Sequence, residues 1–330
     1  MKNYLLILSF FTFFISQAQL SNKHWLPPLH ARDESTIQDH YVYLSTAETT
    51  PFQITITTGN GIPIPGSPFT ISQTNPVEVN IGNGQPTDMF LDVTDVNVVK
   101  SDKGLILEGT KDFYVSFRMR HQNHAETLIS KGRPGIGNRF RLGHMINETS
   151  DSRTSFVASV MATENNTTLT LSDYNTNVVF TSGSGDITAD SQSFILNAGQ
   201  SIVFSGYSSL GANLDGALGA LIESSKPVAV NSGNILGGIE YGRADICLDQ
   251  IVSSSQIGDE YIFIEGNGTP EMELPLIIAD QDNTEVFVNG NPIASTTLNA
   301  GDYYFVPNSQ YQGTINRNIY VKTSKPVFSY

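Results

Sequence analysis

Residues 277–288 read IIADQDNTEVFV: an apolar run, a cluster of Asp and Asn, then a run alternating apolar with polar. Such a pattern reads as strand, turn, strand. The polar cluster can bond its own backbone, and alternation turns one side-chain face toward a core. The same pattern stands at 160–171 as VMATENNTTLTL and at 43–56 as YLSTAETTPFQITI. Aligned on Thr46, Ala162 and Ala279, the copies lie 116 and 117 residues apart, a period of whole β modules rather than of solenoid turns. Two further landmarks follow the second and third copies: LNAG at 196–199 and 298–301, then SSKPVAV at 224–230 and TSKPVFS at 323–329.

Working outward through the third copy, strands are expected at 260–265 and 274–279, with 284–288 returning as the antiparallel partner of the latter. Asn289-Gly290 suits a turn with positive φ. Leu298 closes a strand, Asn299-Ala300-Gly301 turns the chain, and 303–306 runs back. Runs at 319–323 and 327–330 flank Ser324-Lys325-Pro326, with the proline at a strand entry where no ladder N–H is needed. Leu210–Glu223 is the one stretch of helical length, and its small residues argue against a stable helix. The expected fold is all-β, a repeat array of tandem antiparallel β-sandwich-like modules. The alternative is a β-propeller-like arrangement with two blades per repeat. Expected divisions are a leader at 1–18, a lead segment at 19–38, and modules at 39–120, 121–240 and 241–330. The last module stops where the second copy continues, so the chain is expected to be part of a longer polypeptide.

Lys2, the apolar run Tyr4–Ile15 and the small-residue ending Ser16-Gln17-Ala18 read as a secretory signal too short to span a bilayer. The mature chain is expected to begin at Gln19, secreted or on the cell surface, with no membrane span in this segment. The formal charge of the whole chain is −14, which excludes a general nucleic-acid binder, since phosphate neutralisation needs clustered bases. A single cysteine, Cys247, permits no internal disulfide. It reads as a buried structural thiol, because Asp245 and Asp249 do not supply the positive surroundings a reactive thiol needs. Stability must then come from apolar burial, for which this length suffices.

Against the acidic background, residues 100–153 carry ten bases and six acids. Within them, Arg118 and Arg120 in FYVSFRMR, and Arg139 and Arg141 in NRFRLG, are spaced two apart and so share a strand face. Paired guanidinium groups can grip carboxylates or sulfates, making these four the candidate anionic contact; a solvated face balancing acidic modules is the plainer reading. His121 and His124 lack the further ligands a zinc site needs, and Asp280, Asp282 and Asn283 lack the closing Glu of a calcium loop. No metal, cofactor or catalytic residue is expected. No local motif singles out a glycosidase carboxylate pair, Gly183-Ser184-Gly185 is a degenerate hydrolase elbow, and Gly135-Ile136-Gly137 lacks the helix that dinucleotide phosphates require. Asn147, Asn165, Asn166 and Asn267 begin formal glycosylation acceptors that read as turn chemistry.

The turns ATENNTTLTL and ADQDNTEVFV, both LNAG sequences, SSKPVAVNSGN at 224–234 and DICLDQIVSSSQIGDEYIFIEG at 245–266 resemble the N-terminal domain of IgG-Fc-binding proteins, from about Asp39 to the end. That resemblance implies binding or adhesion rather than catalysis. It also implies a place in a very long surface protein exported by type IX secretion, to which the ending SQAQ is similar. The expected function is a non-enzymatic secreted or cell-surface module that recognises an extracellular protein or glycan. The alternatives are a secreted carbohydrate-active enzyme or its accessory domain, and a structural spacer of a longer adhesin.

Overall fold

A computed structural model of the chain describes residues 19–31, 37–121, 124–147, 153–240 and 243–330. The expected leader at 1–18 lies outside the described residues. In chain order the first sheet comprises β1 (Ser21–Leu26), β2 (Gln38–Ser45), β3 (Phe52–Thr58), β4 (Phe69–Ile71), β5 (Val77–Gly82), β6 (Leu105–His121) and β7 (His124–Ile129). After a one-turn helix α1 (Gly132–Gly135) come β8 (Gly137–Arg141), β9 (Ser155–Ala162), β10 (Thr167–Ser172), β11 (Gln192–Leu196), β12 (Ser201–Tyr207), β13 (Leu221–Glu240) and β14 (Arg243–Ile251). The third sheet holds β15 (Gly258–Ile264), β16 (Leu276–Ala279), β17 (Thr284–Val288), β18 (Thr296–Leu298), β19 (Tyr303–Phe305) and β20 (Asn318–Ser329).

The three sheets share one path: β4-β3-β6-β2-β5, β11-β10-β13-β9-β12 and β18-β17-β20-β16-β19. Tandem antiparallel β modules are what the chain forms. The order is not sequential, whereas a propeller blade strings its strands side by side in chain order, so the two-blade alternative is set aside. Each path is centred on one long strand, which gives its N-terminal half to one ladder and its C-terminal half to another. Thus β13 pairs with β10 and β8 over its first residues, and with β9 and β14 beyond Val228. The halves meet over a common core; in the second module Leu169, Leu171, Val160, Ile202 and Phe204 all pack in one cluster. Each such aliphatic or aromatic burial stabilises by about 1.5–3 kcal/mol.

One expectation is corrected here. Strand 284–288 does not return on 274–279, because β20 lies between them and pairs with both. The Asp/Asn turn is an arch from one half-sheet to the other, crossing the long strand at its Ser-Lys-Pro bend. At that crossing the ladders change over, so Pro227 and Pro326 sit inside continuous strands without costing a ladder bond.

The three sequence landmarks meet at this crossing. Lys226 Nζ donates to the Asn165 carbonyl and Lys325 Nζ to the Asp282 carbonyl, each at 2.5 Å. Ser225 and Ser324 accept the backbone N–H of Thr168 and Glu285, each at 2.9 Å. Asn165 and Asp282 in turn accept the Ala198 and Ala300 N–H groups of the LNAG turns, at 3.1 and 3.0 Å. Asn166 and Asn283 supply the left-handed residue of each arch, at φ 55° and 53°, which asparagine tolerates at low cost. In the first module Lys111 bonds the Glu48 carboxylate at 2.8 Å, the same idea with different atoms.

Candidate functional site

The four arginines do not form one surface. Arg118 and Arg120 stand on the outward side of β6, where Tyr41 of β2 is opposite Arg118. With Asp39 and Tyr43 they frame a hollow of about 200 Å³. The Arg120 Nε donates to Asp39 Oδ2 at 2.6 Å, and a second nitrogen donates to Gln38 Oε1 at 3.1 Å. The Tyr41 and Tyr43 rings lie 6.4 Å apart. A hydrogen bond to Glu78 raises the Tyr43 hydroxyl above its usual pKa, partly offset by Arg118. Asp39 thus holds the Arg120 guanidinium, and Glu78 and Arg118 both bond the Tyr43 hydroxyl, an arrangement suited to flat, partly polar contacts.

Arg139 and Arg141 are on β8, and the third module covers them. Arg139 reaches Asp280 at 2.9 Å and Glu223 at 2.6 Å. The Arg141 side chain is 1% exposed; it pairs with Asp173 at 2.8 Å and donates to the Gly219 carbonyl at 2.9 Å, with Asp280 at 3.4 Å. Arg139 and Arg141, two apart on β8, share a face and both reach Asp280. The expectation of a ligand grip is corrected at Arg141, because that face is a joint between modules. Asp280 Oδ1 accepts from both arginines and Asp282 Oδ1 from the Ala300 N–H, consistent with a turn. His121 and His124 stack at 6.1 Å, and His124 contacts Asp245 at 3.2 Å. Among the described residues no group of three or more His, Cys, Asp or Glu could hold a metal ion.

A second feature was not expected from the sequence. Between β14 and residues 143–146 on one side, and β15, β16 and β20 on the other, lies a mostly apolar cleft of about 830 Å³. Leu248, Phe263, Leu276, Phe328 and Tyr330 are among its walls, and Glu271 and Glu273 also line it. Cys247 borders it half-buried, with burial and then Asp245 and Glu126 pushing the thiol up to about 12. That makes it inert as a nucleophile at neutral pH, in line with a structural thiol although less enclosed than expected. His144, also at the cleft, is lowered to about 4 by burial and so is neutral at pH 7. The cleft arises where modules meet, so no single segment encodes it. One signal was available: YIFI at 261–264 is apolar at four successive positions, which in a strand means apolar residues on both faces.

Three sheets of one topology define a tandem array of antiparallel β modules. The chain belongs to the IgGFc binding protein family, whose profile matches residues 125–330. The match takes in β7 and the second and third sheets, and leaves 39–124 of the expected resemblance outside. It is a family defined by binding rather than by a reaction. No curated protein and no solved structure matches the chain.

Proposed function

We propose that this chain is a non-catalytic module array of an exported surface protein, and that it binds an extracellular protein or glycan through the outward β2–β6 face of its first module. Family membership supports binding as the activity. The observation that carries the location is the hollow of Tyr41, Tyr43, Arg118 and Arg120, where Asp39 holds Arg120 and Glu78 bonds the Tyr43 hydroxyl. Tyr and Arg are the residues that dominate binding energies at interfaces, because they bring large contact area and directional polar groups at small entropic cost. The signal-like residues 1–18 support export of the mature chain from Gln19.

The test is capture by residues 19–330 on glycan arrays and on immobilised immunoglobulin Fc, beside a panel of chromogenic glycosides. Stable capture of a protein or glycan, weakened about tenfold or more by Tyr43→Ala or Arg118→Ala, is the expected outcome. Glycoside turnover without capture contradicts the reading.

A further inference from the structure

The outward side of the first sheet is laid out in rows of opposed residues. Along β2 the alternation buries Val42 and Leu44 and turns Tyr41 and Tyr43 out; along β6 it buries Phe117 and Met119 and turns Ser116, Arg118 and Arg120 out. The ladders set Asn80, Tyr41, Arg118 and Thr127 in one row, and Glu78, Tyr43, Ser116 and Ile129 in the next. Opposite and diagonal residues on one face are within side-chain reach. Arg118 therefore meets Tyr41 across the ladder and Tyr43 on the diagonal.

Arg120, Arg139 and Arg317 each grip a carboxylate, on Asp39, Glu223 and Glu265, at 2.6, 2.6 and 2.7 Å. Among the described residues no carboxylate forms an ion pair with Arg118, which is exposed and bonds the Tyr43 hydroxyl. A guanidinium carries five N–H donors in a planar fork. A bond to a phenol leaves donors over, at the wall of the hollow that Arg118 lines.

The residues around that hollow, Asp39, Tyr41, Tyr43, Arg118 and Arg120, are all aromatic or charged, and none is aliphatic. Such a lining favours a ligand covered in hydroxyl groups over an inserted protein side chain. Carboxylates accept from hydroxyls, guanidinium groups donate to oxygens, and a phenol ring packs against the C–H face of a sugar. At about 200 Å³ the hollow is smaller than the roughly 300–1,000 Å³ of pockets that enclose drug-sized ligands. It has room for one sugar ring rather than a length of chain. The guanidinium groups of Arg118 and Arg120 are balanced by the carboxylates of Asp39 and Glu78, so a densely sulfated chain meets no net positive field from this set. What the set lacks is one planar anion for Arg118.

We infer that the hollow takes a single carboxylate-bearing sugar residue of an extracellular glycan, a uronic or a sialic acid, with its carboxylate forked on Arg118 and its ring laid against Tyr41 and Tyr43. The inference rests on the reading of the β2–β6 face as a contact surface and names the ligand class for it. The planar fork matches a carboxylate through two parallel N–H···O bonds, and Asp39 stands beside it to accept from a ring hydroxyl.

Titration calorimetry on residues 19–330 with a galacturonic acid trisaccharide and with sialyllactose tests this, each acid beside its methyl ester, which keeps the ring and removes the charge. One of the two acids should bind, which identifies the source, and its ester should bind about tenfold or more weakly. In Arg118→Gln the acid should fall to the level of the ester while the ester is unchanged, a pattern that loss of folding does not give. Tyr43→Ala should weaken acid and ester alike, because the ring contact does not depend on charge; unchanged urea midpoints show that both variants remain folded. Equal affinity for acid and ester overturns the inference, as does tighter binding of a sulfated heparin hexasaccharide than of either acid. If neither acid binds while a protein is captured and Tyr43→Ala weakens that capture, the sugar is excluded and the contact face stands. An acid that binds with both variants unaffected excludes the hollow as the sugar site and removes the support it gives to the contact face.

Discussion

Lys226 and Lys325 are half-buried lysines of a kind that sequence reading passes over, yet each ties the carbonyl of an arch to the bend of the long strand. The recurrence of SKPV was visible in the sequence, but its purpose was not, because its partners lie 61 and 43 residues away. The serine before each lysine has the same standing. Ser324→Ala leaves the Glu285 N–H without its protein acceptor, and Ser225→Ala does so for Thr168. Each is expected to lower stability by about 1 kcal/mol, read as a lower urea midpoint at unchanged m-value. Alanine at a neighbouring exposed position that bonds nothing should stay within about 0.5 kcal/mol. Gly199 carries a sharper demand. With φ at 79° and its α-carbon set against the Gly59 carbonyl, a methyl group there must displace the joint between the first two modules.

At the level of elements, alternation and turn chemistry placed most strands of the third module within a residue or two, since β15, β17 and the turn at Asn289-Gly290 follow from local pattern. What local pattern did not reveal was which strand pairs with which. Antiparallel partners of consecutive strands are the common expectation, and here a distant strand of 12 residues, β20, inserts between them. The arginine pairs show the same limit. Arg118 and Arg141 look alike in sequence, but the third module folds over one and leaves the other exposed. Arg141→Ala should therefore cost about 1–3 kcal/mol, because the Gly219 carbonyl loses its buried donor while Asp280 keeps Arg139 and Asp173 stays half exposed. Arg118→Ala should change stability by no more than about 0.5 kcal/mol while weakening ligand capture. Chemical denaturation of the two variants side by side measures the contrast.

Across the whole molecule, three cores and two joints are held without a disulfide, and two buried histidines make that stability depend on pH. His24 and His144 are both lowered to about 4, in each case by burial. The unfolded chain binds these protons near 6.5 and the folded chain near 4, so their stabilisation is complete above pH 6.5 and is lost as pH falls toward 4. Each ring should cost about 2 kcal/mol between pH 7.5 and 5. His144→Phe, which keeps the stack on Phe156 at 5.5 Å, should flatten this pH dependence by about one histidine's share. Thermal or urea unfolding at the two pH values reads it directly. The acidic sequence, at −14 overall, gave no hint of these two sites, because burial rather than net charge moves them.

Amide hydrogen exchange on residues 19–330, with and without the protein or glycan that the arrays identify, puts the central claim to its most direct test. Contact through the first module's outward face requires added protection in β2 and the second half of β6, over 38–45 and 114–120. Protection confined to the second or third sheet, with those two strands unchanged, contradicts it.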